Sequence, residues 1–544
     1  MSTLTHIVTV VALRAVLALL LVPGLAAAQD TTRMQELIRA RVDDGSFMGT
    51  VLVARGDEVL LSEGYGSANL EWNIKNAPST KFRLGSITKQ FTAAAILKLA
   101  EQGKLAVDDT VKTHWSGAPA AWDAITIRHL LTHTSGVPNL TSFPDMQTWK
   151  LQQSTPLKTI GYFRDKPLDF APGERMSYSN SGYIVLGYLV ERVSGQDYAQ
   201  FLRDSIFEPL GMKDTGYDLH ATILPNRASG YTMTTSGLRN APYIDMTVPF
   251  GAGALYSTTE DLLRWTQGLF GGRVLSAASL EAMTTPLLNN YAFGVSVREA
   301  SGRKAIEHGG GIEGFNTLLA YYPDSRITVA VLGNVNGQAP TELAAQLGGL
   351  AHGEAVRPSS ERTQIELPRD KLDRLTGTYQ LAPTANMLIT VEGTQLMSRL
   401  GPQPVVPLFA ESETKFFPRV VDAEIEFELD ASGKATALVL RQAGRETRGT
   451  RIEQRTEVAL PLDVLERYPG TYALGAGANL VVTLENGQLM SQATGQAKVP
   501  LFAEAENKFF LKAANAQIQF VTEGERVTDL VLYQGGRETR AARQ

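Results

Sequence analysis

The sequence predicts an α/β body of the α+β type: one antiparallel sheet with helices on its faces and an inserted helical subdomain, followed by two small antiparallel β-barrels. Two observations carry this. Within residues 29–352, strand-like runs cluster at the two ends, over 49–61 and 317–334, while helical patterns fill the middle. Beyond residue 370 the chain repeats itself in short β-rich runs separated by turns, with no long amphipathic helix.

Taken in order, residues 1–28 read as a signal peptide. Arg14 ends a weakly basic region, residues 15–22 form a short apolar core, Pro23-Gly24 breaks it, and Ala26-Ala-Ala28 offers a small-residue cleavage site. The expected mature chain is periplasmic or secreted and has no integral membrane span after signal removal, because the apolar run is too short to cross a bilayer. The catalytic body is expected over 29–352. Its first strand run turns at Arg55-Gly-Asp57 and its last at Pro323-Asp324, so the two ends are expected to pair. A helix is expected to open at Ser86, with Phe91, Ala95 and Leu99 on one face and Gly103 closing it.

Residues 353–370, charged and carrying Pro358 and Pro368, read as a linker. Two repeats follow, over 371–455 and 456–544. Leu375-Thr-Gly-Thr-Tyr379 matches Tyr468-Pro-Gly-Thr-Tyr472, and Pro407-Leu-Phe-Ala410 matches Pro500-Leu-Phe-Ala503, each 93 positions later. After one indel, Gly444-Arg-Glu-Thr-Arg448 matches Gly536-Arg-Glu-Thr-Arg540, read as an exposed strand-end ion-pair cluster.

Composition narrows the function. A net charge of −5 over 544 residues argues against a nucleic-acid partner. The absence of cysteine excludes disulfides, a lipoprotein anchor and a thiol nucleophile.

Three motifs in one order point to nucleophilic catalysis: Ser86-Ile-Thr-Lys89, Tyr178-Ser-Asn180 and His308-Gly-Gly310. A serine hydroxyl needs a base, and a lysine one helical turn away reaches it if burial or a nearby cation lowers its pKa. A tyrosine can share that proton and pass it to a leaving group. Two other Ser-x-x-Lys matches, at Ser301 and Ser412, lie in a polar turn and in a repeat that places Ala505 at the equivalent position. Asn180 is a candidate helix cap as well as a substrate ligand. The glycines behind His308, including Gly310 and Gly311, are expected on an edge strand beside which a substrate backbone lies.

With Phe82-Arg-Leu-Gly-Ser86, Leu130-Leu-Thr-His-Thr-Ser-Gly136, Phe170-Ala-Pro-Gly173 and Gly309-Gly-Gly-Ile-Glu-Gly-Phe315, these motifs make residues 30–352 resemble the penicillin-recognising serine hydrolases. That group takes in class C β-lactamases, D-Ala-D-Ala carboxypeptidases, D-aminopeptidases and class VIII esterases. The resemblance implies a β-lactamase/transpeptidase-like fold, with catalytic Ser86, Lys89, Tyr178 and His308 and substrate-binding Asn180, Gly310 and Gly311. It also implies an oxyanion hole from the N–H groups of Ser86 and Gly311. The paired barrels resemble the lipocalin-like domains of D-aminopeptidases. They are read either as a packing and homo-oligomerisation module or as the source of a loop that limits substrate length.

One departure bears on substrate. Most β-lactamases of this group carry Lys-Thr-Gly where this chain has His-Gly-Gly, so a fixed charge for a substrate carboxylate is missing. His308, with an ordinary pKa near 6.5, is expected to gain charge only at low pH. His129 and His133 sit in a stretch kept for helix packing, and no metal or other cofactor is expected. The expected activity is that of an exported serine peptidase or amidase working through an acyl-enzyme on Ser86. Its substrates would be small peptides, amides or esters, including D- or unusual amino acids, as in D-aminopeptidases or the peptidase acting on linearised microcystins. The rivals are a class VIII type esterase, a weak β-lactamase and a non-catalytic peptidoglycan or peptide sensor.

Overall fold

The computed structural model describes residues 31–300, 302–357, 361–382, 385–442, 445–452, 457–475, 478–496, 498–511, 516–524, 526–534 and 537–544. The expected signal peptide, Ser301, Pro358, Gly444 and Gly536 lie outside them. The chain divides into two compact units, Met1–Val356 and Arg357–Gln544.

The first unit is built on a six-stranded antiparallel sheet of β1 (Gly49–Arg55), β2 (Glu58–Tyr65), β3 (Ser296–Ala300), β4 (Arg303–Ile312), β5 (Phe315–Tyr322) and β6 (Ile327–Gly333). Its order is β3-β4-β5-β6-β1-β2, so the two ends of the unit meet at β1 and β6, in register from Gly49 opposite Gly333 to Arg55 opposite Ile327. The central strands are buried on both faces, which is why they read as apolar runs rather than alternating ones. Leu52, Ala54, Ala330 and Leu332 join one core. Val51, Val53, Val329 and Val331 join the other. Each fully buried valine or leucine contributes about 1.5–3 kcal/mol.

Helices cover both faces. On one side lie the helix α1 over residues 31–43, contributing Leu37 and Ile38, and the C-terminal helix Ala339–Ala351, contributing Leu343 and Leu347. On the other lie α2 (Thr88–Glu101) and the helical subdomain, with its central α3 (Asn180–Ser194). Phe91, Ala95 and Leu99 of α2 are buried. Gly103, at φ +68°, ends the helix as expected, its N–H donating to Ala100 O while Lys104 N–H reaches Leu99 O. The start differs from expectation. Ser86 lies in a 3₁₀ turn, Gly85–Ile87, and the α-helix begins at Thr88.

In the second unit, the first repeat is a closed barrel of eight antiparallel strands, from Gly377–Ala382 to Arg445–Ile452, sealed where Thr378 pairs with Ile452. The second repeat forms nine strands and is nearly closed. The strand equivalent to Val406–Ala410 is interrupted at Leu501 into Val499–Pro500 and Phe502–Ala505, although Leu501 N–H still donates to Leu489 O at 2.8 Å. Interior residues correspond across the repeat. Tyr379, Ile389, Leu396 and Phe427 fill one barrel; Tyr472, Val482, Leu489 and Phe520 fill the other. Both tyrosine hydroxyls donate to the carbonyl four residues upstream, at 2.7 Å. Within the stretch expected as a linker, Val356 packs on the first unit, Ile365 N–H donates to Ala410 O, and Arg369–Asp373 is a helical turn.

Candidate active site

The 3₁₀ turn carrying Ser86 is clamped against β4 by backbone approach. Gly85 has φ +55°, and a Cβ on it would lie 2.8 Å from Gly311 N. A Cβ on Gly310 would lie 1.9 Å from Leu84 O, the carbonyl that accepts from Thr317 Oγ1 at 2.8 Å. These glycines are therefore required by contact within the protein. The expectation of an edge strand needs correction, since β3 is the outermost strand. However, β3 pairs with β4 only as far as Ser296 opposite Glu307. Beyond it, among the described residues, 308–312 pair with β5 alone and leave one edge open beside Ser86.

Ser86 Oγ lies 3.0 Å from Lys89 Nζ and 2.9 Å from the Tyr178 hydroxyl. Lys89 Nζ also reaches Asn180 Oδ1 and the Ala252 carbonyl, both at 2.8 Å. The lysine is fully buried, no carboxylate is among these partners, and burial holds its pKa well below that of an ordinary amine. A neutral amine that donates two N–H bonds, to Asn180 and Ala252, has its lone pair left for the serine proton. Burial raises the Tyr178 pKa, so the phenol remains protonated and donates to Ser86 Oγ.

Tyr178 is held from behind by His133, which the sequence assigns only to helix packing. The two rings are 4.2 Å apart, and the His133 backbone and ring bind the segment around the tyrosine through Ser177 N–H to His133 O and Ser179 N–H to His133 Nδ1. His129, by contrast, closes a capping box with Thr126.

Asn180 is not a cap. It is the first residue of α3, its N–H bonds to Asn139 Oδ1 at 3.1 Å, and its own side chain turns to Lys89. Asn139 and Ala252 escape sequence reading for different reasons: one lies 41 positions from its partner, and the other contributes only a carbonyl.

His308 sits one layer further back. Its Nδ1 donates to Gly309 O, and its Nε2 accepts from the Tyr291 hydroxyl at 3.0 Å, an arrangement that fixes the neutral tautomer. Burial lowers its pKa to about 3. The expected gain of charge near pH 6.5 therefore does not hold, because the ring has no water to solvate a cation. Its ring centroid is 6.4 Å from that of Tyr178. Ser412, the competing serine, accepts from Thr414 and Lys415 N–H in a barrel turn.

A cleft of about 440 Å³ is lined by Ser86, Asn180, Ile184, Gly311 and Ile312, together with Lys150 and Glu313. Ser86, Lys89, Tyr178 and Asn180 thus converge, with Gly310 and Gly311 alongside and His308 behind.

Known proteins place this arrangement. A family model described as beta-lactamase matches residues 34–352, and a domain of unknown function, DUF3471, matches 361–452 and again 454–543. Penicillin-binding protein 4* of Bacillus subtilis strain 168 is 29% identical over 456 residues, covering 77% of this chain and 98% of that protein. The octameric penicillin-binding protein homologue from Pyrococcus abyssi superposes with a TM-score of 0.56 at 27% identity, over 77% of this chain and 99% of that one. A D-stereospecific amidohydrolase from Streptomyces sp. gives 0.53 at 25% identity, over 59% and 98%. With a family model spanning more than half its length and a serine, lysine and tyrosine in mutual contact, the chain belongs to the beta-lactamase family of serine hydrolases.

Proposed function

We propose that this protein is an exported serine peptidase or amidase, acting in the periplasm or outside the cell, that forms an acyl-enzyme on Ser86 with small peptide or amide substrates, including those with D residues. The observation that carries the reading is Lys89: a fully buried amine with its pKa lowered, bonded to Ser86 Oγ and to two neutral acceptors. Such a base takes the serine proton as Oγ attacks the carbonyl carbon. The oxyanion that forms is received by the N–H groups of Ser86 and Gly311, whose backbones are pressed together through Gly85. Tyr178, donating to Ser86 Oγ, passes its proton to the departing amine and regains one from the Lys89 ammonium that formed when the serine was deprotonated. Water then repeats the sequence to release the acid.

The neutral, buried His308 supports amide over β-lactam substrates, since it offers no cation to a carboxylate. The relation to a D-stereospecific amidohydrolase supports the same choice. The octameric state of the Pyrococcus homologue supports reading the barrels as an oligomerisation module, which light scattering of the purified chain tests.

The deciding experiment is labelling with a small fluorophosphonate followed by peptide mapping. Ser86 should carry the adduct, and Ser86→Ala should abolish it. Labelling at Ser412 instead would overturn the assignment.

A further inference from the structure

The cleft is lined by two charges that the acyl-transfer chemistry does not use. Lys150 Nζ lies 2.6 Å from Glu313 Oε1, with side-chain exposures of 7% and 19%, and both residues line the same cleft as Ser86. Glu313 follows directly on the open-edged end of β4, two residues past Gly311.

Direction along this edge is fixed by Tyr178. The leaving group departs on the side of the proton donor, and Tyr178 lies toward His308, the opposite end of the open segment from Glu313. Neither Tyr178 nor His308 lines the cleft, whereas Gly311, Ile312 and Glu313 do. The cleft therefore receives the acyl side of the scissile bond, the side that remains on the serine. A carboxylate has two oxygens and about four lone-pair directions. Lys150 occupies one oxygen of Glu313 and fixes the orientation of the carboxylate, and among the described residues no side chain bonds its other oxygen, which leaves that oxygen for a second cation.

We infer that Glu313, held by Lys150 at the acyl end of the cleft, binds the free α-ammonium group of the substrate's acyl residue, so that the protein acts on amino-terminal residues rather than on blocked or internal peptide bonds. This rests on the acyl-enzyme reading of Ser86. A charge-assisted hydrogen bond of this kind gives about 10- to 100-fold preference over the same substrate without the amine.

The test uses the full chain and the rate of Ser86 labelling by a fluorophosphonate, which reads site occupancy even when turnover is slow. D- and L-alaninamide, N-acetylalaninamide, propionamide and succinamate are compared as protectants. The better alaninamide enantiomer should protect at about 10- to 100-fold lower concentration than propionamide, and the advantage should fade above about pH 8 as its α-amine loses its proton. In Glu313→Gln the ratio of the two protecting concentrations should fall toward one. Because a lone buried lysine can destabilise the fold, the double variant Glu313→Gln with Lys150→Gln provides the same ratio with both charges removed.

Equal protection by propionamide and alaninamide would overturn the inference, as would an unchanged ratio in both variants. Stronger protection by succinamate would assign the cleft end to Lys150 and an anionic acyl group instead. Absence of any labelling at Ser86 would overturn the serine hydrolase mechanism itself, a separate failure.

Discussion

The barrels and the Ser86 site of the first unit treat charge in opposite ways. In the barrels, charged side chains meet on the surface: Arg441 reaches Glu424, Glu426 and Glu446, Arg448 reaches Glu428, and Arg540 reaches Asp529. In the first unit, Lys89 is taken fully out of water and given only neutral partners. Pairing exposed charges costs little and gains little. Burying an amine without a counter-ion is costly unless the amine gives up its proton. The contrast teaches where function sits: a cation buried against stability is retained for what its deprotonated form does.

The strongest way to break the contrast is at the nucleophile. Ser86→Ala should lower kcat/KM by several powers of ten, since the covalent path is gone and only binding and oxyanion stabilisation remain. Activity within tenfold of wild type would place the chemistry elsewhere.

Lys89→Met should come next, abolishing acylation while changing how stability depends on pH. The folded-state pKa of Lys89 is lowered, so the unfolded chain binds the extra proton, and wild-type stability rises as pH climbs toward the ordinary lysine value of 10.5. The methionine variant lacks this slope. Its stability relative to wild type should therefore decline between pH 7 and 10, measured by urea unfolding. The acid limb of the wild-type rate profile should also lie well below pH 10.5 and mark loss of the neutral amine.

His308→Gln sharpens the same point with a smaller effect. His308 contributes stability that is present above pH 6.5 and is lost as pH falls toward 3, because only the unfolded state takes up the proton in that window. From pH 7 to pH 5 the wild type should lose on the order of 2 kcal/mol more than the variant. Equal losses would mean that His308 is protonated while folded. Last, Arg441→Gln in the barrel should cost less than about 1 kcal/mol and become smaller still in high salt.

Much of this is legible in the sequence because short motifs carry local geometry. Ser86 and Lys89 are one turn apart in any helical conformation, and a repeat 93 positions apart shows the two barrels without reference to their strands. Asn180 shows the limit. Its residue type suits a cap, and only the tertiary position of Lys89 turns its side chain inward. The Ala252 carbonyl has no sequence signature because any residue there supplies the same oxygen. For His308 the sequence finds the place and misses the titration: the ordinary imidazole value belongs to a ring in water, and this ring has Tyr291, Gly309 and a nearby amine instead. The edge strand escapes the sequence because β3 pairs with only half of β4, and where pairing stops is set by tertiary packing.

The pairing of β1 with β6 also sets an order of events in time. The β1–β2 hairpin, with its tight turn at Gly56, can form as soon as residue 65 has been made, but the partner for its other edge extends to Gly333. Until then the apolar run of β1 presents unpaired N–H and C=O groups, a template for any extended chain. Contacts this far apart in sequence also slow folding. During synthesis or refolding this hairpin is thus the segment most exposed to mispairing, and a chain interrupted before β6 would end as an aggregate rather than as a smaller enzyme.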